Sequence, residues 1–237
     1  MGTEWQTAVY YWQTFRRVAM KWVRKNWQWA TFNLFALAVM ANFLWSMAAQ
    51  MRLYGIYWEV NDTFILSGKM AIRFLLCSLA MTPLNTLFGW NGALKLRKSA
   101  GLWAFTFATI HFSLYVIDLR GLWLQYPLPD YIAALGLVSL CILTLMAATS
   151  TRWAMKRLGK WWKRLHQLVY IAGLLVTGHA LLELPSKRAM RADPHMTTEV
   201  VAYLVIVLML LAVRIPPIRT RLASLRFRRG LRRKLAG

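Results

Sequence analysis

Long apolar runs dominate this 237-residue sequence, and its charged residues lie in clusters between them. A helix of about 20 apolar residues spans the hydrocarbon core of a bilayer. Six runs are close to that length, and we expect a transmembrane helix in each: 28–49, 68–90, 99–118, 131–150, 164–183 and 198–214. Pro83 is expected to kink the second of these helices. The sequence therefore predicts an all-α integral membrane bundle of six helices.

The positive charges predict how this bundle is oriented. The formal net charge is +22, and nucleic acid is not expected as a partner because the Lys and Arg residues separate membrane-length runs instead of lining a soluble fold. Basic residues concentrate in alternate connections, before residue 28, in 91–98, in 151–164 and after Arg214. The other connections contain acidic residues and fewer basic ones, although 184–197 is a partial exception. Since Lys and Arg are retained beside cytoplasmic lipid headgroups, both termini are expected to be cytoplasmic.

Three regions follow from this pattern. Residues 1–27 mix aromatic and basic residues without the apolar core and cleavage site of a signal peptide, which favours an amphipathic helix in the membrane interface over a flexible basic arm. Residues 28–215 are expected to form the transmembrane domain, and 216–237 a basic cytoplasmic tail. Because every connection is short, we expect any nucleotide-binding or substrate-reducing domain to lie on another polypeptide.

Histidines are the most specific candidates for chemistry. His111, His166 and His179 lie within predicted spans, whereas His195 lies in a polar connection. An ionisable residue inside a membrane helix is a functional candidate, and neutral imidazole is a common axial ligand of haem iron. The alternative for a single membrane histidine is a helix–helix hydrogen bond. Three histidines in two spans favour a haem site.

Depth in the membrane separates these histidines. The third span begins near Arg97, and His111 lies 14 residues later, about 21 Å further across the membrane. His179 lies 13 residues after His166, about 20 Å further across in the fifth span. We therefore expect His111 and His179 at matching depth in the outer half, where they can ligate one iron from opposite sides. His166 is expected in the inner half, at the depth of Arg97.

Helix phase leaves the relation between the two histidines of the fifth span open. Thirteen steps place His166 and His179 about 140° apart on an ideal helix. Either Gly173 or Gly178 supports a local distortion, or the two histidines face different cavities.

Basic residues near the span ends are candidates for binding acidic groups of a cofactor. Lys69 and Arg73 begin the second span on its outer side and can pair with haem propionates, the alternative being that they extend to lipid headgroups. Arg97, Lys98 and the segment 156–164 can hold propionates or a flavin phosphate on the inner side. For these inner residues, retention of positive charge on the cytoplasmic side is the alternative.

Three segments of the chain resemble the YedZ/MsrQ family, which lies within the ferric-reductase-like transmembrane group. They are SGKMAIRFLLCSLAMTPL (67–84), RKSAGLWAFTFATIHFSLY (97–115) and TSTRWAMKRLGKWWKRLHQLVYIAGLLVTGHALL (149–182). The most specific element is LGKxWxxLHxxVY with a second histidine 13 residues after the first. The resemblance covers about 65–215, which is most of the chain.

This resemblance implies a multi-pass protein of the bacterial inner membrane that binds one or two b-type haems. It implies electron transfer from the quinone pool or a cytosolic flavin reductase to a periplasmic molybdopterin protein that reduces methionine sulfoxide. Flavin mononucleotide (FMN) is implied as a further cofactor, and quinone is another candidate. The chain would then be an electron-transfer subunit rather than the substrate-reducing enzyme. The alternative is a structural or haem-carrying subunit of a larger membrane electron-transfer complex.

The resemblance also assigns residues by position. His111, His166 and His179 match the family's three histidines. Arg97 matches a position where larger relatives in the group have a fourth histidine, so the resemblance leaves an inner haem at His166 open.

Overall fold

The computed structural model describes residues 2–54, 61–122, 131–184 and 195–218, together with 220, 221 and 224. All regular structure in these ranges is helical, which confirms the all-α prediction. The α-helices are α1 (Gly2–Tyr54), α2 (Asn61–Phe88), α3 (Asn91–Leu122), α4 (Tyr131–Ala148), α5 (Arg152–Leu158), α6 (Lys160–Leu165), α7 (Val169–Glu183) and α8 (Met196–Ala212). Most residues of the connections predicted on the outer side of the membrane are not among the described residues, and the same is true of most of the predicted tail 216–237.

Among the described residues, five helical segments are long and apolar enough to cross a membrane: Val9–Leu53, Thr63–Phe88, Asn91–Ile117, Tyr131–Ala148 and Lys160–Glu183. The sixth predicted span corresponds to α8, a shorter apolar helix of 17 residues. At 1.5 Å per residue α8 is about 26 Å long, slightly less than the roughly 30 Å hydrocarbon core. The six-span count and the cytoplasmic position of both termini therefore stay predictions. Pro83 lies within α2, which continues beyond it to Phe88.

The chain forms two compact units, Met1–Ala41 and Asn42–Gly237. In the first unit, α1 is interrupted at Asn26, whose φ of −121° and ψ of 17° are not helical. The Asn26 side chain donates to the backbone carbonyl of Trp22 at 3.1 Å, the kind of local bond with which asparagine competes against regular helix. Asn26 lies next to the boundary at residue 27, where the interfacial arm is predicted to end. The division into three regions stays a prediction.

Two helix pairs build the second unit. Helix α2 packs along α3, helix α4 packs along α7, and α8 contacts both α2 and α7. The rings of Phe74 and Phe107 stack between α2 and α3 at 5.6 Å. Fully buried alanines at Ala104 on α3 and Ala172 on α7 allow close helix approach, which stabilises helix packing within a membrane.

The fifth predicted span has an irregular entrance. Gly159 joins α5 to α6 with a φ of +50°, a left-handed conformation that favours glycine. Helix α6 then passes into a 3₁₀ turn, His166–Leu168, before α7 begins. The change of helical geometry therefore occurs at His166 itself rather than at Gly173 or Gly178, which both lie inside α7.

Candidate functional site

Two histidines from different helices converge in the second unit. His111 on α3 and His179 on α7 have ring centres 6.4 Å apart, with their planes at 79°. Both rings line a cavity of about 250 Å³. Small and apolar side chains form much of its wall, including Ala71, Ala108, Ala133, Leu143 and Ala180. The two histidines that the sequence pairs by depth are thus neighbours in space.

A backbone carbonyl fixes each of these imidazoles. His111 Nδ1 lies 3.0 Å from the carbonyl oxygen of Phe64, and His179 Nδ1 lies 2.8 Å from that of Ile132. Because a carbonyl oxygen only accepts hydrogen bonds, we assign the proton of each ring to Nδ1. The lone pair of each neutral ring is then on Nε2. This is the arrangement by which proteins orient histidine for metal binding.

A glycine faces each ring. A Cβ atom at Gly68 on α2 would lie 3.0 Å from His111 Cε1, and one at Gly136 on α4 would lie 3.3 Å from His179 Cε1. The opposite helix of each pair can approach the imidazole this closely because glycine lacks a side chain. The Phe64 ring also stacks on His111, with ring centres 4.0 Å apart. The rings are therefore held by packing as well as by hydrogen bonds.

The donor set fits a haem iron held by two histidines. Two imidazoles that bind one metal from opposite sides at about 2 Å each have ring centres roughly 6 Å apart, close to the 6.4 Å between His111 and His179. Among the described residues, no group of three or more His, Cys, Asp and Glu side chains could hold a metal ion. Such an iron would therefore need its remaining ligands from a macrocycle, as in haem.

The two basic residues predicted to bind propionates form ion pairs with α8. Lys69 is 9% exposed, lines the cavity, and places Nζ 3.0 Å from Glu199 Oε2. Arg73 donates from Nε to the Tyr203 hydroxyl at 2.8 Å, and its NH2 lies 3.4 Å from Glu199 Oε1. The Arg73 side chain is 43% exposed, so Lys69 is the better placed of the two for an acidic group inside the cavity.

His166 has different surroundings from the other two span histidines. Its Nε2 lies 3.2 Å from Thr149 Oγ1, and this hydroxyl donates to the Leu145 carbonyl at 2.7 Å. Thr149 must then accept from His166 Nε2–H, which leaves the lone pair of His166 on Nδ1. The Trp162 ring covers His166 with ring centres 4.2 Å apart. His166 therefore has its lone pair on the opposite nitrogen from the histidine pair, and it does not line their cavity.

Two arginines lie in the region of His166. Arg97 lies close enough to His166 for the two side chains to interact electrostatically. Arg214 donates to the Leu79 carbonyl at 2.6 Å, and its Cζ lies 4.5 Å from the centre of the Tyr170 ring. The structure thus places the predicted Arg97 and His166 near each other and adds Arg214 to the same region.

Comparison with known proteins identifies the family. Residues 67–177 match the family model described as "Ferric reductase like transmembrane component". Relatives from Brucella ovis, Brucella canis and Brucella suis, each named "Protein-methionine-sulfoxide reductase heme-binding subunit MsrQ", are 37% identical over 167 residues. The aligned region covers 68% of this chain and 71% of each relative.

The chain belongs to the MsrQ family. The family predicted from the sequence is confirmed, and the chain is a multi-pass membrane protein. The ferric-reductase-like match includes His111 and His166 and ends two residues before His179.

Several residues of this MsrQ-family site are not predicted from the sequence. Gly68 and Gly136 face the histidine rings, Glu199 forms ion pairs with Lys69 and Arg73, and Thr149 contacts His166. The glycines have a detectable signal, because each precedes its histidine by the same interval along the chain. Glu199 and Thr149 have no comparable pattern, since their partners lie on other helices at unrelated spacings.

Proposed function

We propose that this chain is a haem b electron-transfer subunit of the bacterial inner membrane, with the iron held between His111 and His179. The observation that carries the proposal is the pair of imidazoles 6.4 Å apart, each with Nδ1 bound to a carbonyl. Electrons would come from the quinone pool or a cytosolic flavin reductase. They would pass to a periplasmic molybdopterin-dependent methionine sulfoxide reductase, a role supported by the names of the MsrQ relatives.

Haem, when bound, supplies the one-electron chemistry. The chain supplies two Nε2 ligands, and the carbonyls of Phe64 and Ile132 hold the ligand rings in orientation. The apolar cavity wall excludes water and lowers the local dielectric, which tunes the reduction potential of a bound haem. Lys69 at the cavity wall would neutralise an acidic substituent such as a propionate.

On the inner side, the proposal includes FMN or quinone as the immediate electron donor. Arg97 and Arg214 bring two positive charges into the region of His166, where a phosphate would be attracted. Arg164 lies over the Trp161 ring at 4.7 Å, which adds a flat aromatic surface beside a cation. These contacts support an inner donor site and leave its occupant to experiment.

Membrane vesicles of defined orientation test the electron-transfer role. They would contain this chain, a cytosolic flavin reductase with NADH on the inner side, and a periplasmic methionine sulfoxide reductase on the outer side. We expect sulfoxide reduction that requires the chain, persists in His195→Ala and is lost in His111→Ala. His195 is the matched control because its side chain is exposed and does not line the cavity. Equal turnover with and without His111 would contradict the proposal.

Replacing His166 by alanine will leave the haem at His111 and His179 in place. The reason is that His166 Nε2 is engaged by Thr149 and its ring lies under Trp162, so it contributes nothing to the pair. The measurement is the reduced-minus-oxidised absorption spectrum together with the haem-to-protein ratio. If His166 holds a second haem, His166→Ala will lower the haem-to-protein ratio only in part. Complete loss of haem in His166→Ala would contradict the assignment of the pair.

Substitutions of Lys69 and of Glu199 are expected to affect the rate of haem release differently. If Lys69 pairs with a propionate, Lys69→Gln will release haem about tenfold faster, since a hydrogen bond to a charged group is worth about 1.5–3 kcal/mol. Glu199→Gln removes the carboxylate that competes for Lys69 and will not speed release. Haem transfer to apomyoglobin measures both rates. If both variants accelerate release equally, the two residues form only a structural ion pair.

A further inference from the structure

The two halves of the histidine site repeat the same local arrangement. In each half, the accepting carbonyl and the histidine are 47 residues apart in the sequence. In each half, the glycine that faces the ring follows the accepting residue by four positions, about one helical turn. A shift of 68 residues therefore relates the halves, pairing Phe64 with Ile132, Gly68 with Gly136 and His111 with His179.

Two further pairs of buried residues are related by the same shift of 68 residues. Ala104 and Ala172 are both fully buried, and Leu75 and Leu143 are 3% and 4% exposed. The helix pair α2–α3 is thus equivalent to the pair α4–α7 around the site. Differences between the halves at equivalent positions then show where the surroundings of His111 and His179 differ.

One such difference is a polar side chain that contacts a histidine. Ser67 on α2 is fully buried, and its equivalent on α4 is Leu135. Ser67 Oγ donates to the Phe64 carbonyl at 2.6 Å and lies 3.2 Å from His111 Nδ1. Because the hydroxyl hydrogen is already directed to the carbonyl, the contact with the ring has His111 Nδ1–H as donor and Ser67 Oγ as acceptor.

His111 Nδ1–H is therefore shared between two acceptors, the Phe64 carbonyl and the Ser67 hydroxyl. A hydroxyl that donates one hydrogen bond becomes a better acceptor for another, so Ser67 Oγ is a stronger acceptor for His111 Nδ1–H. At the equivalent position in the other half the side chain is leucine, which cannot accept a hydrogen bond. The two imidazoles are thus chemically unequal although their backbone partners match.

We infer that Ser67 is a positioning residue that makes His111 the more strongly electron-donating of the two axial ligands. The inference rests on the proposed function, because it concerns a haem held by both histidines. A hydrogen bond donated by Nδ1–H raises the basicity of Nε2, the nitrogen that would bind the iron. A more basic ligand stabilises the oxidised iron, so Ser67 lowers the reduction potential of the bound haem.

The test is a spectroelectrochemical titration of three variants beside the wild type, each with its haem-to-protein ratio measured. We expect Ser67→Ala to shift the midpoint potential upward with little loss of haem. Leu135→Ser, which introduces a hydroxyl at the position equivalent to Ser67, is expected to shift it downward. Ser78→Ala is the matched control: Ser78 is another buried serine of α2, and its hydroxyl donates to the Arg97 carbonyl at 3.0 Å, away from His111.

The outcomes separate this inference from the proposed function. A wild type without haem overturns the proposed function before any potential is measured. If haem is bound, a Ser67→Ala potential equal to or below that of the wild type overturns the role of Ser67, as does an equal shift in Ser78→Ala. If Ser67→Ala does not fold, a Leu135→Ser potential that fails to move downward overturns it instead.

Discussion

Replacing His111 or His179 by alanine will remove haem from this protein, whereas replacing His195 will not. In the proposed site each histidine of the pair would supply one of two Nε2 ligands, and the cavity wall around them is largely apolar. We expect the haem-to-protein ratio to fall by more than about tenfold, since residues that merely orient a ligand are already worth 10–100-fold in metal affinity. The measurement is the Soret absorbance per chain of protein purified in detergent.

Two controls make the result of these histidine variants interpretable. Far-ultraviolet circular dichroism and size-exclusion chromatography will show whether each variant keeps its helices and its dispersed state. His195→Ala will show whether loss of any histidine has a general effect. Wild-type haem content in folded His111→Ala or His179→Ala would remove that residue from the ligand set.

Side chains larger than hydrogen at Gly68 or Gly136 will displace the ligand rings and reduce haem content. A Cβ atom at Gly68 would lie 3.0 Å from His111, and one at Gly136 would lie 3.3 Å from His179, so the ring must move in each case. We expect partial loss in Gly136→Ala, greater loss in Gly68→Ala, and near-complete loss in Gly68→Val. Haem content per chain and the position of the reduced α-band measure the effect.

Gly178→Ala is the control for these glycine variants. Gly178 precedes His179 on α7, and a Cβ atom there would meet nothing within 4 Å. Alanine favours a helix over glycine by about 0.5–1 kcal/mol, so none of these substitutions should lose haem through helix propensity. If Gly178→Ala loses as much haem as Gly68→Ala, the contact with the ring is not the cause.

The helices and the histidine pair could be predicted from the sequence because both depend on spacing along one chain. Apolar length predicts the membrane helices, and a rise of 1.5 Å per residue predicts that His111 and His179 lie at equal depth. The distortion in the fifth span was predicted less well. It lies at the 3₁₀ turn of His166 and not at a glycine, and the Thr149 hydroxyl that contacts His166 comes from outside the span.

The partners of the predicted site residues could not be read from spacing. The sequence predicts propionates or lipid headgroups as partners of Lys69 and Arg73, and it does not predict that both contact Glu199, which is 126 residues away from Arg73 in sequence. Such a pair depends on how α8 packs against α2, and that is a property of tertiary structure. The carbonyls of Phe64 and Ile132 were also missed, since every residue has a carbonyl and only the fold selects which one meets a ring.

The pyridine haemochrome assay, combined with amino-acid quantitation of the purified protein, tests the central claim most directly because it counts haem b per chain. We predict at least one haem b per wild-type chain and none in the folded double variant His111→Ala/His179→Ala. A folded wild-type protein without haem b, or a double variant that keeps the wild-type ratio, would contradict the assignment of these two histidines as haem ligands.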